Sequence, residues 1–186
     1  NELHTEGYIK NSKSLTSKGK KYVDLHHPKK ATILAAGYGL RMVPINTEEP
    51  KGLLEVNEEP LIERIIKQLH EVGITDISIV VGFMKEHYEY LIDQYNIKLI
   101  VNTHYDTRNN IYSLYLAKDG LENGYIIPCD VWFKDNPFSI IEDPSWYLFS
   151  DKLSSKSHWN GIAKVNIFTD INCAAADAAH ANWSAG

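Results

Sequence analysis

The residues best suited to chemistry crowd into one stretch, "ILAAGYGLRMVPINTEEPKGLLEV", residues 33–56. An apolar run ends in Gly37 and Gly39, spaced by one residue; Arg41 follows, and Lys51 comes ten positions later. Glycine lets a backbone turn sharply and approach a ligand closely. Successive N–H groups in such a loop form a concavity that binds anions. Arg41 adds a planar cationic fork matched to phosphate oxygens, and Lys51 adds a mobile point charge. Together they describe a cradle for a polyphosphate. A plain tight turn after a strand also uses G-x-G; Arg41, Pro50 and Lys51 at this spacing are what favour the cradle. Two familiar loops are excluded. The dinucleotide fingerprint needs a third glycine where Met42 stands, and a P-loop needs Gly-Lys-Ser/Thr, which is absent.

A cradle of this kind needs a strand before it and a helix after it. "ATILAA" is a short apolar run, as in a strand covered on both faces. "PLIERIIKQLHEVG" reads as an amphipathic helix with Pro60 at its first position, Gly73 at its end, and Leu61, Ile62, Ile65, Ile66 and Leu69 as its buried stripe. "DISIVVGF" is a second strand, "KEHYEYLIDQY" a helix and "IKLIV" a third strand. "NNIYSLYLAKDGL" is a helix capped by Asn109 or Asn110, and "GYIIPCDVWF" a fourth strand with Pro128 near its end. "SWYLFSD" and "GIAKVNIFTDI" read as further strands, and the alanine-rich end as a helix. Alternating strands and helices imply βαβ units and a mostly parallel sheet, with ligands at the carboxyl ends of its strands. Ahead of them, residues 1–28 form a small arm, a strand and then a helix opened by Thr16 or Ser17.

Composition narrows the classes. The chain has 186 residues, 44% hydrophobic and 23% charged, ordinary for a globular protein with one core. It opens on Asn1 rather than Met, as a cut end would. No apolar run reaches the length of a membrane span and no signal peptide is visible, so no membrane partner is expected. Two distant cysteines, Cys129 and Cys173, fit a reducing, cytoplasmic location. The eight His form no ligand cluster. Net charge is −5, yet residues 1–30 carry seven Lys against three acids. That basic arm hints at nucleic acid, but a solvated lysine-rich surface is favoured.

Leu34-Ala35-Ala36-Gly37-Tyr38-Gly39-Leu40-Arg41-Met42-Val43-Pro44, followed by Pro50-Lys51-Gly52-Leu53, resembles the signature of the nucleotidyltransferases that activate sugars and alcohols as nucleotide diphosphates. Leu40 departs from it, standing where a small hydroxyl residue is usual. "YDTRNNIYSLYLA" and "YIIPCDVW" are similar to the phosphocholine cytidylyltransferase branch. The resemblance covers about residues 30–159. It implies a Rossmann-like α/β fold, a mostly parallel sheet with helices on both faces. That domain, over 29–159, is truncated at its C-terminal end. The arm resembles a winged-helix remnant.

The implied reaction is attack by the phosphate of phosphocholine on the α-phosphate of CTP, releasing pyrophosphate; sugar-1-phosphate transfer is the alternative, and a nucleotide-binding regulatory module or an inactive fragment the other. Arg41, Lys51 and Asp130 are the expected catalytic residues, with Asp130 holding Mg²⁺. Ala36, Gly37, Tyr38, Gly39, Leu40, Gly82, Asn109, Asn110 and Ser113 are expected to contact the nucleotide, Ala36 and Gly82 through their backbones at the base. Asn109 and Asn110 also read as simple helix caps. Trp132 and Trp159 read as packing residues or as a wall for the choline ammonium. Tyr112 and Tyr115 read as packing, and His104 as a loop residue, because an anionic phosphate needs no base. Residues 160–186 resemble one βα unit of a class II ketose-bisphosphate aldolase, with Asn166 and Thr169 at its phosphate positions; zinc ligands are absent, so the tail is read as a fusion or truncation product.

Overall fold

A computed structural model of the chain describes residues 2–11, 14–38 and 48–142. Gly39, Leu40 and Arg41 lie outside the described residues, as do Trp159 and the aldolase-like tail, 160–186. Residues 1–141 make one compact unit.

The arm comprises α1 (Glu2–Thr5), a hairpin of β1 (Ile9–Asn11) and β2 (Ser14–Leu15), and α2 (Ser17–His26). Thr16 is the cap of α2: its Oγ1 accepts from the Gly19 N–H at 3.0 Å. Asn123 holds the arm to the rest, its side-chain amide donating to the His27 carbonyl at 2.9 Å.

The sheet is built from β3 (Lys30–Ala35), β6 (Asp76–Val81), β7 (Lys98–Val101) and β8 (Gly124–Pro128), in the order β7-β6-β3-β8 with every pairing parallel. Between β3 and β6 run a short hairpin, β4 (Glu55–Val56) and β5 (Glu59–Pro60), and then α3 (Leu61–Glu71). Two more helices complete it, α4 (Tyr90–Tyr95) and α5 (Asn110–Leu116). The sheet is open, and both its faces are covered. Ala31, Ile33 and Ala35 share one core with α3, whereas Leu34 and Val80 face a smaller one with Leu114, Ala117 and Leu121.

The stripe expected for α3 is the stripe buried: Ile62, Ile65, Ile66 and Leu69 are fully enclosed. Each such side chain contributes roughly 1.5–3 kcal/mol of burial. The helix ends on Gly73 at φ +84°, with its N–H on the His70 carbonyl and the Ile74 N–H on that of Leu69. These two hydrogen bonds close the helix because glycine enters the left-handed region without strain.

Three elements are shorter than their sequences imply. "KEHYEYLIDQY" divides into a 3-10 turn, Lys85–Tyr88, and α4. Its entry residue, Met84, is left-handed and supplies no side-chain cap, so the first turn tightens. The helix begun at Asn110 stops at Leu116 and a 3-10 turn, Lys118–Gly120, follows. The strand from Gly124 ends at Pro128, which offers no N–H to a ladder and suits an edge. Pro60 occupies the cap position, one residue before α3 rather than inside it.

Candidate active site

The chain leaves β3 toward β6 and β7 on one side, then returns to place β8 on the other. Strand order therefore reverses between β3 and β8, and the crevice outside the carboxyl ends there is where open α/β sheets bind ligands. The sequence candidates converge on that edge. Ala36, Gly37 and Tyr38 follow β3, Gly82 follows β6, and Asp130 follows β8. Ala36 is buried, whereas Gly37 is exposed, and among the described residues a Cβ built on it would meet nothing within 4 Å.

Lys51 reaches this edge through a backbone contact that the sequence hides. It opens a 3-10 turn, Lys51–Leu53, behind the buried Pro50. Next to it, Gly52 is pressed against Cys129: a Cβ there would lie 3.2 Å from the Cys129 Cβ and 3.1 Å from the Tyr88 hydroxyl. Because Gly52 touches Cys129, their neighbours Lys51 and Asp130 come side by side, Nζ 2.5 Å from Oδ2. The Cys129 N–H donates to the Leu34 carbonyl at 3.1 Å, which carries the β8–β3 pairing one residue further and fixes the height of Asp130. Burial, then the Asp130 charge, pushes the Cys129 thiol up to about 12. It stays protonated and is no nucleophile. Burial likewise holds the Tyr88 phenol far above its ordinary value.

The Lys51 and Asp130 side chains remain 28% and 38% exposed. An ion pair that open is worth only about 0–1 kcal/mol to the fold. Its charges stay accessible to a ligand. Among the described residues no group of three or more His, Cys, Asp or Glu gathers to hold a metal. A single carboxylate at a ligand-binding edge would suit Mg²⁺, which takes one or two carboxylates, substrate oxygens and several waters. The Asp130 oxygen already faces a cation, the Lys51 ammonium.

After Asp130 the chain is clamped to α3. Arg64 donates through Nε to the Phe133 carbonyl at 2.7 Å and through a terminal nitrogen to that of Lys134, and the Gln68 amide also reaches Phe133. The guanidinium lies 4.5 Å over the Trp132 ring, so one cation already sits on that indole. At the other flank Asn109 caps α5, its Oδ1 accepting from the Ile111 N–H at 3.1 Å, and Asn110 is the first helical residue. Ser113 is buried, and its hydroxyl accepts from the buried Asn102 amide at 3.0 Å. His104, Tyr112 and Tyr115 stand ring to ring at this flank; Tyr112 is half-buried, but Tyr115 is 57% exposed, so the packing read from sequence does not extend to it.

Sequence reasoning missed Gly52, Cys129, Asn102 and Tyr105. Gly52 alone carried a signal, as the glycine inside P-K-G-L. Tyr105 closes over Gly82: a Cβ on that glycine would stand 2.6 Å from the Tyr105 Cβ and 2.7 Å from the Ala36 carbonyl oxygen. The Phe83 N–H donates to that same carbonyl at 3.2 Å.

An open parallel sheet carrying a glycine loop and a Lys–Asp pair at its switch point defines a nucleotide-handling α/β domain. The chain belongs to the family of MobA-like NTP transferase domains, which matches residues 31–138. It is 48% identical over 109 residues to the choline-phosphate cytidylyltransferase of Streptococcus pneumoniae, a match covering 59% of this chain and 48% of that protein. Against the 2-aminoethylphosphonate cytidylyltransferase of Lancefieldella rimae it is 45% identical over 101 residues, covering 54% and 41%. The solved CTP:phosphocholine cytidylyltransferase of S. pneumoniae superposes with a TM-score of 0.58 at 47% identity, covering 59% of this chain and 48% of that one. The chain thus spans about half the length of the relatives it matches. Among the described residues no helix is long and apolar enough to cross a membrane.

Proposed function

We propose that this chain transfers a cytidylyl group from CTP to phosphocholine, giving CDP-choline and pyrophosphate. The observation that carries the reading is the Lys51–Asp130 pair at the strand edge where the exposed Gly37 stands, in a chain 48% identical over 109 residues to a choline-phosphate cytidylyltransferase. A phosphate oxygen of phosphocholine attacks the α-phosphorus of CTP in line; the bond to the bridging oxygen breaks and its electrons leave with pyrophosphate. The attacking oxygen is already anionic, so no general base is required, and none of the site's groups is asked to be one. What the chain must supply is fixed positive charge and N–H donors where negative charge grows. The main chain from Gly37 through Gly39 and Leu40 cradles the β- and γ-phosphates, with Arg41 beside them. Lys51 holds the α-phosphate or the incoming phosphate. Asp130 would hold Mg²⁺, whose charge neutralises the phosphate oxygens. Ala36 and Gly82 border the base, while Asn109, Asn110 and the buried Ser113 shape the α5 flank.

Pyrophosphate release by the purified chain tests this, with CTP and phosphocholine against UTP or dTTP and glucose-1-phosphate. Release with the first pair alone is the expected result; release only with the second reassigns base and acceptor. The 45% identity to a 2-aminoethylphosphonate cytidylyltransferase makes that phosphonate the third acceptor to assay. CTP binding with no release from any mixture would leave a nucleotide-binding module.

A further inference from the structure

Three aromatic rings meet where the glycine loop starts. The Tyr38 ring lies 4.8 Å from that of Phe83 and 5.0 Å from that of Tyr105, and Phe83 and Tyr105 are 6.5 Å apart. They come from three separate carboxyl ends of the sheet: after β3, after β6 and after β7. All three are half-buried. Tyr105 fills the space that a side chain at position 82 would need, so Gly82 is the seat on which the cluster rests. The Tyr38 hydroxyl beside it is the largest influence holding the Tyr105 phenol above its ordinary value. Solvent-facing tyrosines at a loop tip carry no such bracing. An aromatic ring held at this edge, two residues beyond Ala36 and next to the exposed Gly37, offers a flat apolar surface where the glycine loop begins.

We propose that Tyr38 is a base-stacking residue: its ring, braced by Phe83 and Tyr105 over Gly82, is the surface against which the nucleobase of the triphosphate lies. The proposal rests on the nucleotidyltransferase reading above and adds to it a side-chain contact with the base. Every base has a π face, so stacking strengthens binding without choosing among bases. Selection of cytosine then falls to the backbone groups at Ala36 and Gly82, and Tyr38 sets affinity.

Calorimetry on the purified chain in Mg²⁺, with CTP, UTP and inorganic tripolyphosphate as probes, tests this. Tyr38→Ala should weaken CTP and UTP alike, by roughly tenfold or more, and leave tripolyphosphate unchanged. Tyr38→Phe should bind all three as the unaltered chain does. Tyr38→Leu keeps apolar bulk against Phe83 but loses the flat face; it should follow Tyr38→Ala, and its circular dichroism melt checks that the fold persists. Equal CTP affinity in the unaltered chain and in Tyr38→Leu overturns the proposal while sparing the nucleotide reading. Loss of tripolyphosphate in parallel with CTP also overturns it, because Tyr38 would then shape only the loop. An unaltered chain that binds neither CTP nor tripolyphosphate overturns both.

Discussion

The two ends of the parallel sheet each carry a lysine–aspartate pair, and the pairs look alike by distance. At the carboxyl edge Lys51 and Asp130 meet at 2.5 Å; at the amino edge Lys98 and Asp76 meet at 2.8 Å. Their surroundings differ. Lys98 and Asp76 are 71% and 43% exposed and stand on the first residues of adjacent strands, β7 and β6. Lys51 and Asp130 are brought together by tertiary contact between Gly52 and Cys129, over a buried tyrosine, at the point where strand order reverses. The amino edge even has a cavity of about 240 Å³, bordered by Lys30, Asp76, Ser78 and Lys98. Concavity and an ion pair are therefore poor guides taken singly. Backbone close approach and the switch point set the carboxyl edge apart.

The largest expected difference is in turnover. Asp130→Ala and Lys51→Ala should each lower pyrophosphate release by at least about a hundredfold, the usual cost of removing a group aimed at developing charge. Asp76→Ala and Lys98→Ala should leave it within about twofold, as surface substitutions do. An amino-edge variant that loses as much as Asp130→Ala would erase the distinction.

Stability sharpens the same contrast. Beyond β7, Asn102 is buried, donates to Ser113 and accepts from the His104 N–H at 2.8 Å. Asn102→Ala leaves those partners unsatisfied and should cost about 2 kcal/mol in urea unfolding. Lys98→Ala, four residues earlier at the start of β7, should cost about 1 kcal/mol at most. Equal costs would mean that the Asn102 network adds nothing beyond a surface pair.

Two glycines separate packing from binding. A Cβ on Gly82 would meet the Ala36 carbonyl oxygen at 2.7 Å, and one on Gly124, at the amino edge, would meet that of Lys30 at 2.7 Å. Both alanine variants should lose about 1–2 kcal/mol, since each must push back a strand neighbour. Only Gly82→Ala should also weaken CTP binding at temperatures where both remain folded. Parallel losses of affinity would show that the sheet as a whole, and not its carboxyl edge, senses the nucleotide.

Much of this architecture was legible in the sequence because it follows from periodicity and local chemistry. The α3 stripe, the Gly73 stop, the Thr16 and Asn109 caps and the parallel strands all follow from spacings of a few residues. The glycine loop and Lys51 could be picked out by residue type and spacing, whereas Asp130 came only from the family resemblance. What escaped depends on chain segments meeting across long separations. Nothing near Gly82 signals that Tyr105 will cover it, and nothing near Trp132 signals that Arg64 will lie on its ring. The left-handed Met84, which opens the 3-10 turn after β6, has no compositional cue.

A third ion-pair cluster shows how a structural pair near the site should behave. The Glu59 carboxylate accepts from Lys67 at 2.9 Å and from Arg64 at 3.2 Å, the same Arg64 that clamps the chain after Asp130. The Lys67 hydrogen bond, followed by Arg64 against the opposing cost of burial, holds the Glu59 carboxyl below its ordinary value. A lowered native value means that Glu59 stabilises the fold when ionised. That contribution is complete above the unfolded value, about 4.3, and fades as pH falls through the native one. Glu59→Gln should thus cost about 1 kcal/mol or less at neutral pH. Below the native value the variant and the unaltered chain should unfold together. Since Arg64 keeps its bonds to Phe133 and Lys134 in the variant, pyrophosphate release should change far less than in Asp130→Ala. A cost that grows on acidification would show that Glu59 acts through something other than its charge.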